Sequence, residues 1–197
     1  MRVAPALALA AALSLATAPA VARPCDAAGS LVANCGFDAG PENWLLNGEP
    51  ATWVTDDCAT APGCVRLDRP TVSTSVEAIS DCVAVQPSTE YAFGGSFRLE
   101  SGAVSQGCLV DFWLHSDANC DTFLDFEFAP FSVSSEWRDQ IAGVSTTAAT
   151  QSMRLRLACF SEGSDFVVRV DDGLVLPAVF VDGFRSGDLS RWSSTAP

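Results

Sequence analysis

The sequence predicts an all-β protein, a two-sheet antiparallel sandwich. Three observations carry this. Helical periodicity is almost absent beyond the first 22 residues. Short apolar or alternating runs recur instead at near-regular spacing. Between them lie clusters of Gly, Pro, Ser and Asp, such as "QPSTEY", "ESGAVSQG" and "HSDANCD", which turn the chain.

The elements follow in order. Residues 1–22 have one basic residue, an Ala/Leu run and Ala20-Val21-Ala22 before Arg23, the pattern of a secretory signal peptide. No later stretch is long enough to span a bilayer as a helix. Residues 23–178 are expected to form one domain, large enough to bury a core. Strands are expected near 30–34, 44–46, 51–55, 64–68, 82–86, 90–99, 107–115, 122–128, 137–144, 152–160 and 166–176. Residues 179–197 form a tail whose "DGFRSGDLSRW" echoes "CGFDAGPENW" at 35–44. About twenty residues cannot bury a core, so this echo is no domain by itself.

The eight cysteines all follow the cleavage site. In an exported chain an even count reads as disulfides. Zinc is disfavoured, because there is no C-x-x-C pair and His115 is the only histidine. Cys58 and Cys64 bracket a turn-rich stretch and are expected to bridge. Cys25 and Cys35 bracket the start of the first strand and form a second expected pair. The other four are expected as Cys82–Cys159 and Cys108–Cys120, although a simple hairpin near residue 117 does not set 108 opposite 120.

The net charge is −13, from 24 acids and 11 bases, every base an arginine. Such acidity excludes nucleic acid and anionic membrane as natural partners. It suits bound calcium or a neutral ligand. The Lys-free, Ala-rich composition points to a GC-rich, bacterial coding genome.

Alternation in three segments assigns faces. Tyr91, Phe93, Phe97 and Leu99 share one side of their strand and Arg98 the other. Val110, Phe112 and Leu114 oppose Asp111, Trp113 and His115. Met153, Leu155, Leu157 and Cys159 oppose Arg154 and Arg156. If the three strands share a sheet, Arg98, Asp111, Trp113, Arg154 and Arg156 form one ligand-binding surface. The ring of Trp113 offers a stacking plane for a sugar, and the charged groups offer hydrogen bonds to its hydroxyls. The competing reading is a solvated face held by ion pairs. Trp44 and Trp137 read as core, and Trp53 as a second ligand candidate.

"LVANCGFDAGPENWLL", "CVRL", "ISDCVAVQPSTEYAFGGSFR", "SSEWRDQIAGVSTTAATQSMRLRL" and "FVVRVDDGLVL" occur in that order. Together they resemble secreted carbohydrate-binding modules attached to bacterial cellulases and xylanases, which have the galactose-binding-like jelly-roll fold. The resemblance covers about residues 30–176. It implies non-catalytic binding of a glycan or cell-surface polysaccharide by a secreted monomer, extracellular or periplasmic. It also implies a structural Ca2+ held by Asp38, Asp171 and Asp172, since calcium takes several oxygen ligands. Two departures stand out: Asp38 replaces the usual Glu, and Gly173 replaces the usual Val. The tail resembles the opening of a second such module.

Two other function classes compete. One is a structural or adhesive surface protein with a protein partner. The other is a glycan hydrolase using Asp125 and Glu127, which alternate on one strand. No G-x-S-x-G, H-E-x-x-H or P-loop motif supports catalysis.

Overall fold

The computed structural model describes residues 30–48, 50–60, 62–69 and 75–177. The expected signal peptide at 1–22 and the expected tail at 179–197 lie outside these. Among the described residues there are eleven strands and no helix. They are β1 (Trp44–Asn47), β2 (Ala51–Val54), β3 (Cys64–Arg69), β4 (Ser75–Ser80), β5 (Val83–Ala84) and β6 (Glu90–Gly102). They continue as β7 (Gly107–His115), β8 (Phe123–Phe131), β9 (Arg138–Ser145), β10 (Ser152–Phe160) and β11 (Phe166–Pro177).

Two antiparallel sheets face each other. The first runs β1-β4-β10-β7-β8, with β5 beside β10; the second runs β2-β3-β11-β6-β9. The core between them is what the alternation foresaw. Phe112 and Val110 on β7, with Leu155 and Leu157 on β10, meet Phe93 and Phe97 of β6 and Val168 and Val170 of β11. Phe112 lies 5.3 Å from Phe93, ring centre to ring centre. Each such buried side chain contributes about 1.5–3 kcal/mol relative to its exposed state.

Two strand expectations change. The strand expected near 30–34 does not form, and residues 33–36 make a turn instead, although the Leu31 amide still donates to Val175 O at 2.8 Å. β4 was not foreseen. Its sequence, "SVEAIS", has a small inward set, Val76, Ala78 and Ser80, which gives little hydrophobic signal.

The tryptophans divide. Trp44 is buried in the core, and its indole donates to Asn34 O at 3.1 Å. A Cβ on Gly173 would stand 2.5 Å from the Trp44 ring, so the glycine that departs from the usual Val makes room for this indole. Trp53 has a structural bond: its Nε1 donates to Phe37 O at 2.8 Å and ties the opening turn to β2. Trp137 is half-buried outside the core, with the Arg98 guanidinium 5.4 Å from its ring centre.

Cys58–Cys64 forms as expected. Cys35 is disulfide-bonded; its expected partner, Cys25, lies outside the described residues. The other two pairs are Cys82–Cys120 and Cys108–Cys159, not Cys82–Cys159 and Cys108–Cys120. Strand order decides this. β7 and β10 are neighbours, and their register sets Cys108 directly against Cys159, with Cα atoms 4.0 Å apart. Cys120 sits in the β7–β8 loop at φ 60° and reaches Cys82 between β4 and β5.

Candidate functional site

Residues directly opposed on antiparallel strands share a face. On the outer face of the first sheet the register therefore builds rows. Arg156 of β10, Asp111 of β7 and Phe128 of β8 form one; Arg154, Trp113 and Phe126 form the next; Ser152, His115 and Phe123 form a third. Four of the five expected ligand residues, Asp111, Trp113, Arg154 and Arg156, are thus brought together. Arg98 is not. It lies on β6 in the second sheet, where its guanidinium makes two hydrogen bonds to Asp57, one of them 2.8 Å long. Alternation fixed its face but carried no information on which sheet held the strand.

Sequence reasoning missed a larger feature. Phe123, Phe126 and Phe128 are 55%, 48% and 53% exposed on the edge strand β8. The Phe126 and Phe128 rings are stacked at 5.7 Å, and Phe123 follows at 6.5 Å. Strict alternation sends Phe123 to the opposite face from Phe126. A β-bulge opposite Leu114 and His115 adds one residue and restores it to the same side. "FLDFEF" held the signal, in three aromatics within six residues, but the bulge hid their common face.

The result is a groove of about 520 Å³ lined by Leu109, Asp111, Trp113, Phe123, Phe126, Phe128 and Arg156. Its walls are almost wholly apolar; its polar floor is a network. Arg156 Nε donates to Asp111 Oδ2 at 2.6 Å, and its Nη1 donates to Glu77 Oε2 at 3.0 Å. The same guanidinium lies 5.0 Å from the Trp113 ring centre. Trp113 Nε1 donates to Asp111 Oδ2 at 3.3 Å. Arg154 turns aside and donates to Ser80 O at 3.1 Å. Burial pushes the Asp111 carboxyl above its ordinary range, against the pull of Arg156. His115 is buried at the end of the groove, edge-on to Phe123 at 6.0 Å, and burial with the nearby Arg154 charge lowers its pKa.

Asp125 and Glu127 lie opposite Leu114 and Phe112, on the other side of β8 from the phenylalanines. Among the described residues lining the groove, Asp111 is the one carboxylate.

The second sheet's outer face is built differently. Arg66, Arg169 and Arg98 lie side by side across β3, β11 and β6. The loop between β2 and β3, closed by Cys58–Cys64, folds over them. Arg169 pairs with Asp56 at 3.1 Å and Glu100 at 2.7 Å.

The same loop covers two of the expected calcium ligands. Thr60 N donates to Asp171 Oδ2 at 2.9 Å, and the Thr60 hydroxyl reaches Asp171 and Asp172 at 3.2 and 3.3 Å. Ser96 Oγ lies 3.3 Å from Asp172 and 2.6 Å from Asp139. Burial pushes Asp171 up to about 7. Asp38, the third member of the expected trio, is exposed in the opening turn. Among the described residues no three His, Cys, Asp or Glu side chains converge as a metal cluster.

No protein-family model and no curated protein matches the chain. Solved structures do. A family 16 carbohydrate-binding module superimposes with a TM-score of 0.56 at 20% identity, over 74% of this chain and 99% of that one. The chain has the sandwich fold of carbohydrate-binding modules. A family 61 module in complex with β-1,4-galactotriose matches with a TM-score of 0.53 at 14% identity, over 75% of this chain and 98% of that one. The enzymatically active domain of tailspike protein 4 of bacteriophage CBA120 matches at 0.59 and 12% identity, over 75% of this chain. This chain spans only 21% of that one.

Proposed function

We infer that the protein is a secreted, non-catalytic glycan-binding module whose site is the groove of the first sheet. The observation that carries this is the exposed strip Phe123–Phe126–Phe128 beside Trp113, with the Asp111–Arg156 pair at its floor. Exposed aromatic planes in a row suit the apolar faces of successive sugar rings, and the charged pair suits hydroxyls. The galactotriose complex of a similarly folded module supports the reading. The disulfides fit an oxidising, exported setting. A glycan array probed with the mature protein tests it. Retention on defined glycans, lost in the double variant Phe126→Ala/Phe128→Ala, supports it. No retention on any glycan overturns it and favours a protein partner for the same apolar strip.

Structural calcium remains as a proposal for the Asp171–Asp172 pair alone. Two adjacent buried carboxylates gain from a cation. A ligand that binds only the native state stabilises it by about 2.7 kcal/mol at a hundredfold excess over Kd. The thermal midpoint of chelator-treated protein is expected to rise with millimolar calcium, and Asp171→Asn to abolish the rise. No rise in the wild type removes calcium from this fold.

A further inference from the structure

The floor of the groove holds an unsatisfied acceptor. The Asp111 side chain is almost wholly buried. Its Oδ2 receives Arg156 Nε at 2.6 Å and Trp113 Nε1 at 3.3 Å, whereas its Oδ1 has no hydrogen-bond partner. An ionised carboxylate only accepts, and a buried acceptor left unpaired costs free energy until a donor arrives. Asp111 lines the groove and its Oδ1 is covered by neighbouring atoms, so a ligand hydroxyl supplies that donor only with a small displacement of the groove floor.

The positive charge of the floor is already spoken for. Arg156 is shared between Asp111 and Glu77, and Glu77 is anchored in turn by Asn47 Nδ2 at 2.7 Å. Arg154 balances the second acid but points one donor at the Ser80 carbonyl. The two arginines and two acids sum to zero, and His115 is buried with its pKa lowered. The rest of the lining is Leu109 and aromatic rings. An acidic ligand thus meets no surplus of positive charge, and a ligand carboxylate at Asp111 Oδ1 sets acceptor against acceptor, both negative.

We propose that the groove takes a neutral sugar chain and rejects uronic-acid or sulfated chains, with Asp111 Oδ1 accepting a ligand hydroxyl as the specificity-determining contact. This rests on the glycan-binding reading and narrows it to a ligand class.

The test sets the mature protein against immobilised neutral polymers (glucan, xylan, mannan and galactan) and acidic ones (polygalacturonate, alginate and a sulfated galactan), at low and high salt. Retention by a neutral polymer, insensitive to salt, with every acidic polymer at least about tenfold weaker, is the expected result. Equal or stronger retention by an acidic polymer, weakening with salt, overturns the charge selectivity and leaves glycan binding standing. Retention by none overturns both. Asp111→Asn, checked for an unchanged fold by circular dichroism, sharpens the residue assignment. Arg156 claims the amide oxygen, which leaves an NH2 donor facing the ligand. Affinity for the neutral polymer is expected to fall about tenfold, equivalent to about 1.4 kcal/mol, and the gap to acidic polymers to narrow. Wild-type affinity in a folded Asp111→Asn protein overturns the role of Asp111. If that variant does not fold, the wild-type comparison decides the ligand class and Trp113→Phe decides the contact. The phenyl ring keeps a stacking plane but frees Asp111 Oδ2 of one donor, so affinity is expected to drop by less than about threefold. A larger drop assigns the selectivity to the indole instead.

Discussion

The outer faces of the two sheets use the same kinds of residue to opposite ends. Both carry arginines flanked by acids. On the second sheet, Arg98 and Arg169 are capped by Asp57 and Asp56 from a loop that a disulfide holds shut. On the first, Arg156 is paired within the sheet itself by Asp111 and Glu77, and the aromatic strip beside them is exposed. The acids report the difference. Hydrogen bonds from Arg169 and Arg98 hold Asp56 and Asp57 below the ordinary carboxylate range, whereas burial raises Asp111. Charge alone therefore does not mark a site on this fold. What separates the two faces is which of them has its polar groups capped.

The largest expected effect breaks the covered face. Arg169→Leu removes a buried cation from Asp56 and Glu100 and is expected to lower the denaturation midpoint, while retention on the neutral polymer stays unchanged in thermally intact protein. Chemical denaturation and polymer binding, measured on one preparation, check both halves. Next comes the open face. Phe126→Ala/Phe128→Ala is expected to cost about 2 kcal/mol of affinity, with a change in stability below about 1 kcal/mol, because both rings are half-exposed. A loss of fold in this variant makes the strip structural.

The smallest effect is in pH, and its sign differs between the faces. Asp56 and Asp57 are lowered, so their contribution to stability is full above about pH 3.8 and is lost as pH falls through their lower folded values. Asp111 is raised, so its burden on stability is absent below about pH 3.8, grows as pH rises from there towards its higher folded value, and is constant above that. Acid titration is thus expected to protonate Asp111 and weaken polymer binding at a pH where the covered face is still intact. Binding and unfolding that share one midpoint contradict this.

The sandwich was legible because alternation is a local property. Val110, Phe112 and Leu114 announce a buried side without knowledge of the partner strand. Adjacency is not local, and that is where the reading of the sequence failed. Arg98 has the outward phase of Arg156, yet its strand pairs with β11 and β9, in the other sheet. Cys108 finds Cys159 only once β7 and β10 are known to be neighbours. The phenylalanine strip needed the bulge in β8. Asp111, Trp113, Arg154 and Arg156 were grouped correctly because their two strands do share a sheet.

Strand β8 is an edge, and four of its nine residues are phenylalanine. An edge of that kind is a template on which another chain can add a strand, the first step towards aggregates. Its reverse side carries Asp125 and Glu127, both exposed, and Pro130 has no amide hydrogen to offer an incoming strand. Two copies meeting edge to edge set these carboxylates against each other, on molecules that each carry a net charge of −13. The strand can thus present bare aromatic rings to water while charge opposes edge-to-edge pairing at neutral pH, and that protection weakens in acid or concentrated salt.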